Sequence, residues 1–180
     1  MKHSRLPLLL LTASLMLNSY ARADDESTSQ KAKQLATTVK VQMNYLLYLP
    51  DNYDQKDSWP LLLFLHGSGE RGDDLEVVKK HGPPKLIDEG RSFPFIVVSP
   101  QCPRDRRWEP IELAVLLDQL EEKLDVDTDR IYVTGLSMGG FGTWMLAASY
   151  PERFAAIAPV CGAGIRWSAK RIKHIPAWVF

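Results

Sequence analysis

The sequence predicts an α/β protein in which helices pack on both faces of a mostly parallel β-sheet. Residues 61–66 (LLLFLH) and 95–100 (FIVVSP) are nearly continuous apolar runs, as strands buried on both faces require. Helix-like and strand-like segments alternate along the rest of the chain. This alternation is typical of parallel sheets, because parallel neighbours need a crossover connection.

The other elements follow from local signals in chain order. An aromatic and aliphatic run predicts a strand near the start, and Pro110 suits the first turn of an amphipathic helix whose leucines recur at helical spacing. The predicted elements are a strand at 45–50, the amphipathic helix at 110–124, a strand at 130–135, a helix at about 139–150, a strand at 154–162 and a last strand at 175–180.

Composition favours one domain and argues against a nucleic-acid partner. The 180 residues are 45% hydrophobic, which suffices for one core. The 22 basic and 22 acidic residues are interleaved and give a formal net charge of zero, so no basic stripe marks a nucleic-acid surface. Small or neutral partners are therefore expected.

The N-terminus has the pattern of a signal peptide. Lys2, His3 and Arg5 precede the apolar run at 6–17, and Ala21-Arg22-Ala23 follows as a cleavage site. The run is shorter than the roughly 20 residues that span a bilayer. We expect cleavage after Ala23, export to the periplasm or the medium, and no stable membrane span afterwards.

The rest of the chain divides into an extension at 24–38 and a domain at 39–180. Export permits a disulfide between Cys102 and Cys161. Nothing in the sequence brings these cysteines together, so two free thiols are the alternative.

Ser137 lies between glycines in the segment TGLSMGGFGTW. A buried strand precedes it and a helix follows, which is the context of a nucleophile elbow. Gly135 and Gly139 are expected to permit close approach of strand and helix, while the strained turn exposes the hydroxyl. The helix start leaves the N–H of Met138 free to donate to a developing oxyanion. A glycine-rich helix cap is the non-functional alternative.

A second motif, His66-Gly67-Ser68-Gly69, ends the predicted strand at 61–66. Acyl-transfer enzymes with a nucleophile elbow take their second oxyanion donor from such a turn. We assign that role to the N–H of Ser68, with Gly69 as the alternative donor. His66 is expected to orient the turn, since it directly precedes it, and a role as catalytic base is the weaker interpretation.

Other candidate sites are less specific. Trp108 follows a strand and either lines an acyl or alcohol pocket or packs against the next helix. The segment GERGDD at 69–74 is expected to be a solvated loop. Arg130 occupies the position where a calcium loop beginning at Asp125 needs glycine, so no metal site is predicted. No cofactor is predicted either.

The chain resembles the secreted α/β-hydrolase esterases related to polyhydroxybutyrate depolymerases and feruloyl esterases, which are often described as predicted peptidases or phospholipase/carboxylesterases. The resemblance runs from about Tyr45 to Phe180 and rests on the segments YLLYLPDNYD, WPLLLFLHGSGERGDDL, KKHGPPKLI, FPFIVVSPQCP, DRIYVTGLSMGGFGTW and YPERFAAIAPVCG. It implies metal-free, serine-dependent hydrolysis of small-molecule or polysaccharide-linked esters. It also implies a triad in the order serine, acid, histidine, with Ser137 as the nucleophile.

The chain departs from this pattern at its end. In the family the acid and the histidine follow strands beyond 154–162, whereas this sequence stops at Phe180. His81 and His174 are poor substitutes, since His81 lies in a loop and His174 precedes a strand. We therefore expect a partial α/β-hydrolase domain with impaired activity. A serine peptidase and a non-catalytic ester- or glycan-binding module are the alternatives.

Signal-peptide cleavage predicts a mature protein that begins at Asp24. Export of the full chain from a bacterial host, followed by intact-mass measurement, tests this. A mass that includes residues before Asp24 would contradict the predicted cleavage site.

Overall fold

The computed structural model describes residues 32–38, 40–164 and 166–180. The predicted signal peptide at 1–23 therefore lies outside the described residues, as do residues 24–31. The chain divides into two compact units, Met1–Thr38 and Val39–Phe180. Residues 32–38 have no regular secondary structure, and every helix and strand of the described chain belongs to the second unit.

The described strands form a single five-stranded sheet. They are β1 (Tyr45–Tyr48), β2 (Trp59–Leu65), β3 (Ile96–Pro100), β4 (Val126–Leu136) and β5 (Ala156–Val160), in the spatial order β1-β3-β2-β4-β5. The β1–β3 pair is antiparallel, and the other three neighbouring pairs are parallel. The predicted mostly parallel sheet is confirmed.

Helices cover both faces of this sheet. They are α1 (Gly82–Asp88), α2 (Pro110–Lys123) and α3 (Met138–Ser149). Leu63 of β2 is buried in one core with leucines of α2 and α3. Phe64 points to the opposite face, because side chains alternate along a strand, and its ring lies against Gly82 at the start of α1. No helix in the described part of the chain is long and apolar enough to cross a bilayer.

The predicted last strand at 175–180 is not a regular strand. Ala177 makes an isolated parallel bridge with Ile157, and the N–H of Phe180 donates to the carbonyl of Pro159 at 3.2 Å. The segment thus runs beside β5. Because Pro159 of β5 has no N–H to donate, one backbone hydrogen bond between β5 and this segment is missing. The gap prevents a continuous strand.

Both cysteines are free, so the disulfide that export would permit is not formed in the structure. Cys102 is buried beyond β3 and Cys161 is exposed beyond β5. Burial raises the pKa of the Cys102 thiol to about 11, which keeps this thiol protonated at neutral pH.

Candidate active site

Ser137 occupies a strained turn between β4 and α3. Its backbone angles are φ 53° and ψ −110°, in the left-handed half of conformational space that side chains other than glycine rarely adopt. Two backbone hydrogen bonds hold the turn: Ser137 N–H donates to Val160 at 2.8 Å, and Phe141 N–H donates to the Ser137 carbonyl at 3.0 Å. The strain is therefore maintained by β5 on one side and by α3 on the other.

Glycine is required on both sides of this turn. A Cβ at Gly139 would overlap the carbonyl oxygen of Leu65, and a Cβ at Gly135 would overlap the carbonyl oxygen of Gly139. These atoms belong to the backbone, so no side-chain rotation can relieve the overlap. The absence of both β-carbons lets α3 begin in direct contact with the end of β2.

The turn after β2 lies beside Ser137. Residues Ser68–Glu70 form a single 3-10 turn, and a Cβ at Gly67 would lie 3.9 Å from the Cβ of Ser137. Nothing lies within 4 Å of a Cβ at Gly69. Ser68, Ser137 and Met138 all line one open cavity of about 250 Å³. Since the first N–H groups of a helix have no intrahelical acceptor, Met138 can donate into this cavity.

The imidazole of His66 is buried and makes two backbone contacts. Its Nε2 accepts from the N–H of Cys102 at 3.0 Å, and its Nδ1 lies 2.6 Å from the carbonyl of Gly67. An Nε2 that accepts must be unprotonated, so Nδ1 carries the proton and donates to Gly67. Both ring nitrogens are thus engaged away from Ser137. This geometry supports orientation of the turn after β2 and disfavours a role as base.

Trp108 lines the cavity that holds Ser137, and the helix contact that the structure shows for its ring is with α3, whereas the sequence had pointed to the helix that follows it, α2. Trp108 is buried, its Nε1 donates to the carbonyl of His66 at 3.1 Å, and its ring meets the His66 ring edge-on at 4.8 Å. A Cβ at Gly142 would lie 2.9 Å from the indole, so the ring packs directly on α3.

In the described part of the chain, no side chain hydrogen-bonds to the Ser137 hydroxyl. His81 lies 3.9 Å from a carboxylate oxygen of Glu70, and His174 lies 3.3 Å from the carbonyl of Pro151, beyond the far end of α3. Among these same residues no cluster of histidine, cysteine or acidic side chains could hold a metal ion.

Five lining residues were missed by sequence reasoning, among them Gly142, which packs against Trp108. Phe141 and Met145 follow Ser137 by one and two helical turns, so helical spacing alone could have placed them at the cavity. Arg71 and Arg107 also line it, and they follow strands whose carboxyl ends meet at one edge of the sheet. The side chains of residues in such loops have no periodic signal.

The expectation of a solvated loop at 69–74 is wrong for Glu70. This residue is only 6% exposed, and its carboxylate lies 4.0 Å from Nδ1 of His66. The turn folds back over the end of β2, which encloses the carboxylate between two histidines. Asp73 and Asp74 in the same segment are exposed, as expected.

The chain belongs to an esterase family. The family model described as "Putative esterase" matches residues 36–165. Together with the mixed, mostly parallel sheet, this match confirms the predicted α/β-hydrolase fold and the resemblance to esterases of that fold.

Individual relatives agree with this assignment. Feruloyl esterase D of Neurospora crassa is 28% identical over 89% of this chain and 62% of its own length. A bifunctional acetylxylan esterase/xylanase of Neocallimastix patriciarum is 28% identical over 72% of this chain and 19% of its own length. The crystal structure of a thermostable esterase is 35% identical, with a TM-score of 0.64 over 78% of this chain and 42% of that protein. The chain thus spans less than two thirds of each.

Substitution of Gly139 by alanine is expected to destabilise the fold by at least ~2 kcal/mol. The alanine gains roughly 1 kcal/mol of helix propensity, but the overlap with backbone of β2 outweighs it. Gly69→Ala is the matched control and should stay within ~0.5 kcal/mol, because its Cβ meets nothing. Urea unfolding of the three proteins gives the comparison. Equal losses for the two variants would contradict the proposed contact.

His66 is expected to make the fold less stable at acidic pH. Burial lowers the pKa of His66 below its ordinary 6.5, so the unfolded chain binds this proton at a higher pH than the folded chain does. The contribution of His66 to the free energy of unfolding is fully present above about pH 6.5. It falls by up to ~1.4 kcal/mol per pH unit below that value.

Urea unfolding between about pH 5 and pH 7.5 measures this dependence. The His66→Gln variant should lose part of the pH slope, whereas loss of the exposed His81 in His81→Gln provides the control. A slope unchanged in His66→Gln would rule out the buried, neutral imidazole.

Proposed function

We propose that this chain cleaves carboxylic esters through an acyl-enzyme on Ser137. The observation that carries the proposal is the strained conformation of Ser137 at the start of α3, facing a cavity that Ser68 and Met138 also line. Membership of an esterase family supports ester hydrolysis. Since relatives are named for feruloyl and acetylxylan esters, the proposed substrates include polysaccharide-linked esters beside small-molecule ones.

The proposed reaction begins with attack of Ser137 Oγ on the ester carbonyl carbon. The carbonyl oxygen becomes an oxyanion, which accepts from the N–H groups of Met138 and Ser68, and the positive end of the α3 dipole adds to this stabilisation. The tetrahedral intermediate then breaks its bond to the alkoxy oxygen, and the alcohol leaves with a proton. Water cleaves the acyl-serine and regenerates the hydroxyl.

Proton transfer limits this reaction in the proposal. None of the residues that line the cavity is a histidine or an acid, so within the described residues the Ser137 proton passes to solvent. In a serine hydrolase, oxyanion stabilisation and binding alone accelerate hydrolysis by a factor of roughly 10³–10⁴ over the reaction in water. An amide needs its leaving nitrogen protonated, which this cavity does not provide. Esters, above all those with good leaving groups, are therefore favoured over peptides.

The full 180-residue chain should react with para-nitrophenyl acetate to give one acetyl group per molecule, located on Ser137. A burst of nitrophenol followed by slow turnover is expected, because hydrolysis of the acyl-serine also needs a base. Ser137→Ala should abolish the burst. Ser149→Ala, which removes an exposed hydroxyl from the same helix, should behave like the unsubstituted chain.

Stopped-flow absorbance measures the burst, and peptide mass mapping locates the acetyl group. An acetyl group on another residue, or an undiminished burst in Ser137→Ala, would show that Ser137 is not the nucleophile. Tight binding of an ester without any acylation would instead support a non-catalytic binding module.

A further inference from the structure

The cavity that holds Ser137 carries positive charge without compensating negative charge. Arg71 and Arg107 both line it, and none of the other lining residues is acidic. The chain as a whole has a formal net charge of zero, so this imbalance is local.

Arg71 is held in place by neutral acceptors. Its Nε donates to the carbonyl of Ser68 at 3.0 Å, and one terminal nitrogen donates to the carbonyl of Arg106 at 3.2 Å. These bonds join the turn after β2 to the loop before α2. Because carbonyls take up two of its donors, the guanidinium is fixed in position while its charge is not neutralised by a carboxylate.

Two nearby carboxylates, those of Glu112 and Glu70, are engaged elsewhere. Glu112 pairs with Arg106 at 2.6 Å, and Glu70 faces His66 and His81. Arg107 is exposed and forms no ion pair with any residue that the structure describes. Its guanidinium therefore retains free donors at the cavity.

The remaining large side chains of the cavity are apolar. Phe141 and Met145 come from α3, and Trp108 comes from the loop before α2. Phe141 and Met145 are 46% and 38% exposed. The two arginines instead belong to the loops that follow β2 and β3. The side of the cavity that α3 forms is thus apolar, whereas both cationic side chains come from loops.

We propose that this site prefers esters that carry a carboxylate near the scissile bond over neutral esters of the same size. The inference rests on the proposed function, since it concerns the substrate of the same cavity. A planar guanidinium matches a carboxylate in two-point hydrogen bonding. The carboxylate can belong to the acyl half, as in a hemiester of a dicarboxylic acid, or to the alcohol half, as in an ester of an acidic alcohol.

The expected size of the preference for anionic esters follows from the solvent exposure of Arg107. Exposed ion pairs contribute modestly, so loss of Arg107 should reduce the preference by about threefold. The same preference should weaken in about 1 M salt, where the Debye length falls to about 3 Å. Arg71 is less suitable for substitution, because it also supports the turn that carries Ser68.

The test compares anionic esters with neutral counterparts on the full chain. Mono-para-nitrophenyl adipate places the carboxylate on the acyl half, and the acetate of a carboxynitrophenol places it on the alcohol half. Each is compared with the methyl ester of its own carboxylate. The measured quantity is the ratio of the acylation rate constants, anionic over neutral, after correction for reaction without protein.

Arg107→Gln should lower this ratio about threefold for at least one of the two pairs. Arg104→Gln is the matched control, since Arg104 is exposed on the same loop and does not line the cavity. It removes the same charge from the chain and should leave the ratio unchanged. A ratio that is equal in all three proteins, or that falls equally in both variants, would overturn the proposal.

Equilibrium binding separates this inference from the proposed function. Calorimetric titration with monomethyl adipate and with dimethyl adipate tests the charge preference without any acylation. Tighter binding of the monomethyl ester, lost in Arg107→Gln, supports the inference even if Ser137 is never acylated. Equal binding of the two esters overturns it even if Ser137 reacts as proposed.

Discussion

The contact between the start of α3 and the end of β2 is the constraint on which the site depends. Gly139 lies so close to the Leu65 carbonyl that no β-carbon fits between them. This approach brings the first amides of α3 beside the turn that follows β2. It also requires the chain to reverse sharply at Ser137, which accounts for the positive φ of that residue. Strain at one residue is the consequence of close packing at its neighbours.

His66 and Trp108 connect the elements around this contact. The imidazole accepts from the N–H of Cys102 beyond β3 and donates to Gly67 beyond β2. The indole donates to the backbone of His66 and packs on Gly142 of α3. These contacts tie two strand ends to the helix that follows Ser137. Their burial makes the network depend on a neutral imidazole, because a protonated ring could not accept from an amide.

The arrangement separates the proposed chemistry from the proposed selectivity. Ser137 and the two candidate oxyanion donors lie where strands end and a helix begins, so rigid elements position them. The two arginines come from loops, which can vary without disturbing that frame.

The sequence by itself determined the parts of the molecule that depend on short-range rules. Apolar runs predicted β2 and β3, and leucines at helical spacing predicted α2. A serine between glycines, after a strand and before a helix, marked the turn at Ser137, since strand, turn and helix preferences are all local. The same locality explains the error at residues 175–180, where a proline in the neighbouring strand interrupts the pairing.

Only the tertiary structure decided what lies around that turn. The protonated nitrogen of His66, the burial of Glu70 and the meeting of Arg71 and Arg107 at one cavity depend on residues far apart in the chain. No pattern within a single segment encodes such contacts. They arise because parallel strands place their carboxyl ends, and the loops that follow them, at the same edge of the sheet.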